Sequence, residues 1–109
     1  MTSSPRELER ERAEAIRTAL TAVIDPELGV DVVALGLVYD VDVVGDRARV
    51  TYTLTSMGCP IGPVIEHDMA TAAVEVDGVE RVDMELVFDP PWTPDRMSDD
   101  AKLVLGFLG

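Results

Sequence analysis

The sequence of 109 residues predicts an α/β fold of the α+β type, and two kinds of periodicity carry that prediction. Three segments alternate apolar and polar residues with period two, as strands with one buried face do. Two longer segments repeat apolar residues at helical spacing. Because each strand has one apolar face, the order α-β-β-α-β-α predicts a single two-layer sandwich, in which the helices pack on one face of a three-stranded mixed sheet.

The first helix has both a start signal and a stop signal. Ser4 to Glu7 match a capping box, with proline at the first helical position. Its apolar stripe consists of Ile16, Ala19, Leu20, Val23 and Ile24. Since Pro26 disfavours helix at Asp25, the helix is predicted to stop there. Residues 1–13 are interpreted as a charged helical extension, and 14–109 as the folded domain.

The three strands are predicted from their alternation. Their apolar faces are Leu35, Leu37, Tyr39, Val41 and Val43, then Val50, Tyr52 and Leu54, and finally Val82, Met84, Leu86 and Phe88. Gly45-Asp46 is typical of a tight hairpin, so the first two strands should be antiparallel.

A helix of about four turns is predicted between the second and third strands, because apolar residues recur there at helical spacing. Those residues are Ile61, Val64, Ile65, Met69, Ala72, Ala73 and Val76. Asp77-Gly78 should end this helix. The strand–helix–strand crossover should be right-handed, with the two strands parallel. A last short helix should begin near Ser98.

Composition excludes several classes of function. The net charge of −12 argues against nucleic acid as a partner, since a phosphate-binding surface needs clustered Lys and Arg. The apolar runs are too short to cross a membrane, and the charged N-terminus lacks a signal-peptide core. The single cysteine cannot form an intrachain disulfide, which agrees with a reducing compartment. We therefore expect a cytoplasmic protein.

The lone cysteine, Cys59, lies where the second strand gives way to the second helix, between Gly58 and Pro60. Unpaired N–H groups and the positive end of the helix dipole favour thiolate over thiol at such a position. Thiolate is the form that binds metal or attacks an electrophile. The alternative is a small apolar residue that fills a turn.

Two loops are predicted to reach the same edge of the sheet as Cys59, because the first two strands are antiparallel and the second and third parallel. The loop 25–29 brings Asp25 and Glu27, as oxygen ligands or only as turn residues. The loop 89–94 brings Asp89 and Trp92, and the indole either walls a site or caps the core.

Other residues near this edge have weaker claims to a function. Thr53 and Thr55 are predicted on the polar sheet face leading to Cys59, where β-propensity alone explains threonine. His67 lies opposite the apolar stripe of its helix and about 12 Å along the axis from Cys59, so surface exposure is the better interpretation. One cysteine cannot hold a conventional iron–sulfur cluster, which takes four ligands. A metal there would need a second subunit, acidic side chains, a partner protein or an exogenous thiol.

Four ordered motifs resemble the metal–sulfur cluster assembly domain family, which includes SufT-like and PaaD-like iron–sulfur assembly factors. They are Asp25-Pro26-Glu27-Leu28-Gly29, Leu35 to Asp40, Thr53-Leu54-Thr55 with Gly58-Cys59-Pro60, and Val87 to Pro94 with Met97-Ser98. The resemblance covers residues 14–108 and implies a small cytoplasmic accessory protein for iron–sulfur assembly, with Cys59 as its key residue. On this basis the site lining is predicted to be Asp25, Glu27, Thr53, Thr55, Gly58, Pro60, Asp89, Trp92, Thr93 and Met97.

Two departures from the family pattern limit what the resemblance implies. Ala34 stands where many members have an acidic or polar residue, so a ligand role at that position is lost. The cysteine-rich C-terminal extension of PaaD-type members is also missing. The resemblance implies iron–sulfur machinery and client proteins as partners. Because one thiolate per chain leaves a cluster short of ligands, a homodimer is one route to a complete site, and at most a transient cluster or iron is expected. The alternatives are a cysteine-dependent redox enzyme and an interaction adaptor without a metal.

Overall fold

A computed structural model describes residues 4–55 and 60–106 of the chain. Its elements in chain order are α1 (Pro5–Leu20), β1 (Val38–Val44), β2 (Arg47–Tyr52), α2 (Gly62–Val74), β3 (Arg81–Leu86), a 3-10 turn (Pro94–Arg96) and α3 (Asp99–Leu105). The predicted order and fold class are confirmed.

The sheet has the order β1-β2-β3, with β2 in the centre. β1 and β2 are antiparallel, and β2 and β3 are parallel, as the hairpin and the helical crossover predict. The register places Val50 between Val41 on one side and Met84 on the other. As a result, the start of β1 and the ends of β2 and β3 all lie at one edge of the sheet.

The two faces of the sheet differ in polarity, as the alternation predicts. Val41, Val43, Ala48, Val50 and Tyr52 are buried on the inner face, where α1 and α2 pack. The outer face carries two exposed ion pairs, Arg47–Asp83 at 3.6 Å and Arg49–Glu85 at 3.7 Å. Exposed pairs of this kind add little to stability. Burial on the helical side therefore holds the fold together.

α1 is anchored to the β1–β2 turn through its N-terminal half. Ser4 caps the helix by accepting the Glu7 N–H at 3.2 Å. Glu9 accepts the Gly45 N–H at 2.8 Å, and Arg12 donates to the Gly45 carbonyl at 2.7 Å. The charged segment at the start of α1 thus belongs to the same continuous helix as the buried stripe and contacts the sheet.

The predicted stop of α1 at Asp25 is wrong by one turn. The helix ends at Leu20, since the next three N–H groups bond three residues back instead of four. The chain then becomes extended, and Val23 and Asp25 form backbone hydrogen bonds with the segment 30–32. Alternation along this extended stretch buries Val23 and Asp25 and leaves Ile24 48% exposed. Ile24 is therefore a surface residue and not part of the helical stripe.

Other boundaries also differ from prediction. β2 ends at Tyr52, before Leu54, and β3 ends at Leu86, so Phe88 lies outside that strand and is 39% exposed. The register of β1 and β2 shifts between Val38 and Asp40, so the alternation breaks at Tyr39, which is half-buried and not in the core. Leu35 is buried but lies in the turn before β1. α2 ends at Val74, before Asp77-Gly78. These differences arise where a bulge or turn overrides the local period.

In the part of the chain that the structure describes, no helix is both long enough and apolar enough to cross a membrane.

Candidate functional site

A cleft of about 280 Å³ lies at the sheet edge where β1 starts and where β2 and β3 end. We call it the end cleft. Its walls are Asp25, Glu27, Leu28, Thr55, Trp92, Met97 and Leu105. Three loops and α3 contribute to it, so it exists only because the topology brings the strand ends together. Its lining combines two carboxylates and a hydroxyl with an indole, a thioether and two leucine side chains.

Asp25 shapes one wall of the end cleft through a local turn. Its side chain is only 4% exposed, and its Oδ1 accepts the N–H groups of Glu27 at 2.8 Å and Leu28 at 3.2 Å. Its carbonyl accepts the Gly29 N–H at 2.7 Å. This is the pattern of an aspartate that builds its own turn. Among the described residues, the turn role therefore accounts for the observed hydrogen bonds of Asp25.

Trp92 is fixed at the opposite wall by a long-range hydrogen bond. Its Nε1 donates to the Leu35 carbonyl at 2.7 Å, and its ring is half-buried. Nearby, the Ser98 N–H donates to the Ala34 carbonyl at 2.8 Å. The segment after β3 is thereby tied to the turn before β1 at two points. The indole both caps the core and walls the end cleft.

The turn before β1 requires a glycine at position 36. Gly36 has a φ of +78°, which side-chain-bearing residues rarely adopt. A Cβ at this position would lie 2.7 Å from the carbonyl carbon of Arg96. The backbone of the 3-10 turn thus packs directly on Gly36. Met97, the next residue after that turn, is buried and lines the end cleft.

Tyr39 and Arg96 add two further contacts between the start of β1 and the segment that follows β3. The Tyr39 hydroxyl donates to the Pro90 carbonyl at 2.8 Å. The Arg96 guanidinium stands over the Tyr39 ring at 4.5 Å from its centroid, a cation–π geometry. Together with the Trp92 bond, these contacts hold the loop after β3 against β1.

The predicted site residues fall into three groups in the structure. Those that line the end cleft are Asp25, Glu27, Thr55, Trp92 and Met97. Pro60, Asp89 and Thr93 are exposed and lie outside its wall. Thr53 is fully buried, at 0% exposure, so its predicted place on a half-exposed polar face is wrong. The reason is that β2 ends at Tyr52, and the Thr53 N–H instead bonds the Leu37 carbonyl at 2.8 Å.

Gly58 and Cys59 lie outside the described residues, so their predicted roles stay predictions. The chain leaves the described part at Thr55, on the wall of the end cleft, and returns at the exposed Pro60. α2 begins two residues later, at Gly62, and its N-cap residue, Ile61, makes no side-chain capping hydrogen bond. His67 is exposed on α2, as predicted.

Two leucines of the end cleft were not among the predicted site residues. Leu28 is part of the loop 25–29, and Leu105 comes from α3. Leu105 follows the buried Ala101 by four residues, which is the helical spacing of one face. That spacing was the available sequence signal. It becomes informative only once α3 is known to pack beside the loops.

The described residues contain no group of three or more His, Cys, Asp or Glu side chains arranged to hold a metal ion. Tyr52 does not supply a base at neutral pH either. Burial, assisted by the nearby Glu66 carboxylate, raises the pKa of the Tyr52 phenol to about 12. The phenol therefore stays protonated at neutral pH. The end cleft offers hard oxygen donors and apolar contacts, without a complete metal site among these residues.

The turn role of Asp25 leads to a prediction about stability. It distinguishes the contribution of the Oδ1 hydrogen bonds from that of the negative charge. Asp25→Ala should lower the free energy of unfolding by about 1 to 2 kcal/mol, because two N–H groups lose their acceptor. Asp25→Asn keeps an oxygen at Oδ1 and should cost less than about 0.5 kcal/mol. Urea denaturation of both variants provides the measurement. Equal losses in the two variants would show that the negative charge matters, contrary to this expectation.

The amino-acid sequence matches a known protein family and several of its members. The family described as "Iron-sulfur cluster assembly protein" matches residues 13–84. The Fe-S protein maturation auxiliary factor YitW of Bacillus subtilis is 48% identical over 100 residues, which cover 91% of this chain and 98% of that protein. The Fe-S protein maturation auxiliary factor SufT of Staphylococcus aureus is 49% identical over 85 residues, 77% of this chain and 97% of that protein.

A solved structure also matches over nearly the whole chain. The domain of unknown function DUF59 from Bacillus anthracis superposes with a TM-score of 0.88 at 41% identity, covering 93% of this chain and 97% of that chain. The match thus extends from sequence motifs to three-dimensional fold. Since the family match covers more than half of the chain, the chain belongs to the iron–sulfur cluster assembly protein family.

Proposed function

We propose that this protein is an accessory factor that assembles iron–sulfur clusters or transfers them to client proteins, acting through Cys59. The observation that carries the proposal is the end cleft, whose wall includes Thr55, four residues before Cys59. Chain connectivity limits the Cα separation of these two residues to about 14 Å. Membership in the iron–sulfur cluster assembly family supports the same conclusion.

The donor chemistry of the end cleft favours a cluster as transient cargo. Its carboxylates are hard donors, poorly matched to iron–sulfide, and Asp25 already accepts two backbone N–H bonds. Thiolate is the matching ligand, and the chain has one cysteine. We infer that two copies of the chain bring two Cys59 thiolates to one cluster. A small thiol or oxygen groups would complete its ligands, so the cluster would be readily released.

A role as a redox or acyl-transfer enzyme is less well supported. An activated cysteine nucleophile needs an adjacent base, and His67 is exposed on α2 while Tyr52 stays protonated. The chain has no second cysteine to resolve an oxidised one. The named relatives are maturation factors. We therefore propose a non-enzymatic role, in the cytoplasm, with iron–sulfur machinery and client proteins as partners.

Anaerobic reconstitution with iron and sulfide tests this proposal. Wild-type protein should acquire the visible absorbance of a cluster, and iron should elute with a dimer on size exclusion. Cys59→Ser should retain less than about a tenth of that iron, because a serine hydroxyl does not replace a thiolate. His67→Ala is the matched control and should retain all of it, since His67 is exposed on α2.

Three outcomes would contradict parts of the proposal. A cluster that survives in Cys59→Ser would exclude Cys59 as the ligand. A cluster that elutes with a monomer would exclude the shared site. A wild-type protein that never binds iron, but still binds clients, would favour the adaptor function over a carrier.

A further inference from the structure

A second depression, apart from the end cleft, runs along α2. It encloses about 400 Å³ and is lined by the chain after α1 and by one side of α2. We call it the α2 groove. Its lining residues are Ala22, Val23, Ile24, Asp68, Thr71, Ala72 and Glu75. The small side chains of two alanines and a threonine leave room in it, and an isoleucine stands at its side.

Ile24 is exposed because the backbone leaves it no inward position. The Val23 N–H donates to the carbonyl of Leu20, the last residue of α1, at 3.0 Å. The Val23 carbonyl accepts the Val32 N–H, also at 3.0 Å. Ile24 itself forms an isolated antiparallel bridge with Asp31. This pairing fixes the extended conformation in which Ile24 points away from the buried Val23 and Asp25. The apolar side chain is thus held at the surface by local structure.

α2 presents a continuous stripe along the groove. Val64, Asp68, Thr71 and Glu75 follow the spacing of one helical face, i, i+4, i+7 and i+11. Val64 is 54% exposed and extends the stripe towards the start of the helix. The stripe is about 16 Å long at the helical rise of 1.5 Å per residue. That length accommodates about three turns of a partner helix.

The charges along the groove are all negative. α2 contains no lysine or arginine, and Asp68 and Glu75 lie two turns apart on the groove side. Glu75 is the C-cap of α2, where the negative end of the helix dipole disfavours a carboxylate and favours a cation. A positive group from outside would therefore be attracted by both the side chain and the helix terminus.

We propose that the α2 groove docks a basic amphipathic segment of a partner protein. An apolar residue of that segment packs on Ile24, and its Lys or Arg side chains lie beside Asp68 and Glu75. The exposed apolar side chain and the two flanking acids fit this chemistry and disfavour an acidic partner. The proposal does not depend on the role of Cys59.

The groove and the end cleft are adjacent along the chain. Ile24, on the groove, immediately precedes Asp25, on the cleft, and α2 starts two residues after Pro60. A segment docked along the stripe therefore has one end near the start of α2, which follows Cys59 by three residues in the chain. Binding there would place a partner beside the proposed transfer site.

The test uses the full-length protein and a synthetic 14-residue helical peptide of leucine and lysine, with affinity measured by fluorescence anisotropy at fixed salt. Glu75→Lys should weaken binding at least fivefold, and Ile24→Ser at least threefold. Asp42→Lys is the matched control, because it makes the same charge change on the exposed side of β1. It should weaken binding less than twofold.

Stability and peptide composition provide the further controls. Glu75→Lys should melt no lower than wild type, because it removes an acid from a helix C-terminus, so lost binding cannot be attributed to unfolding. A peptide with leucines replaced by serines should bind at least fivefold more weakly. Equal weakening by Asp42→Lys, or equal binding of the serine peptide, would show diffuse charge attraction and overturn the proposal. Cys59→Ser should bind the peptide as wild type does, so failure here is separable from failure of the cluster proposal.

Discussion

Gly36→Ala is expected to destabilise the fold by about 3 kcal/mol or more. Two effects add at this position. A left-handed backbone conformation costs about 1 to 2 kcal/mol for a residue with a side chain, and Gly36 has a φ of +78°. The new methyl group would also overlap the Arg96 backbone, whose carbonyl carbon is 2.7 Å from the ideal Cβ position. That backbone cannot retreat without loosening Met97 and Trp92, which line the end cleft.

Gly45→Ala is the matched control for this prediction. Gly45 also has a positive φ, +62°, but no atom outside its neighbours lies within 4 Å of its Cβ position. Its substitution should cost only the conformational part, about 1 to 2 kcal/mol. Urea or thermal denaturation of the two variants measures the difference. Similar losses in both would mean that the contact of Gly36 with Arg96 has no energetic weight.

The position of Gly36 gives a physical reason for two of the four family motifs. Leu35-Gly36 and the segment from Trp92 to Ser98 are distant in sequence, yet they form one junction. The glycine admits the Arg96 backbone, and the indole bonds the carbonyl of the preceding leucine. These motif residues therefore build the wall of the end cleft. A search of the motifs for ligand or catalytic residues alone would not find this structural role.

The sheet was predictable because its signals are local. Alternation identified the buried faces of β1 and β2, and the Gly45-Asp46 turn predicted their antiparallel pairing. The helical connection between β2 and β3 then predicted that these strands are parallel. These two pairings alone place the start of β1 and the ends of β2 and β3 at one edge of the sheet. That is why the loops with Asp25 and Trp92 could be expected together.

The failures occur where pairing or packing between segments, rather than the local period, decides. Ile24 has the spacing of the α1 stripe, but pairing with the segment 30–32 pulls it out of the helix. Thr53 looks like a solvated strand residue, yet its pairing with Leu37 buries it. Leu105 entered the end cleft only through the docking of α3. No periodicity in the chain reports such contacts.

Cys59→Ser is expected to slow cluster transfer to an apo-protein client by at least tenfold, without loss of the fold. Serine has nearly the same size as cysteine but does not ionise near neutral pH, and its oxygen is a hard donor. The described part of the end cleft supplies only carboxylates, a hydroxyl and apolar groups. None of these replaces a thiolate for iron–sulfide. The measurement is the anaerobic recovery of activity in a client that requires a [4Fe–4S] cluster.

The same assay distinguishes the role of the Cys59 thiolate from that of the Asp25 carboxylate. Asp25→Asn, which keeps the turn, should transfer at a rate within about twofold of wild type if the carboxylate only shapes the loop. A large loss in Asp25→Asn would instead give that carboxylate a chemical role beside Cys59. Wild-type transfer by Cys59→Ser would show that the cysteine is incidental. The protein would then act by bringing partners together, and the α2 groove would become its principal functional surface.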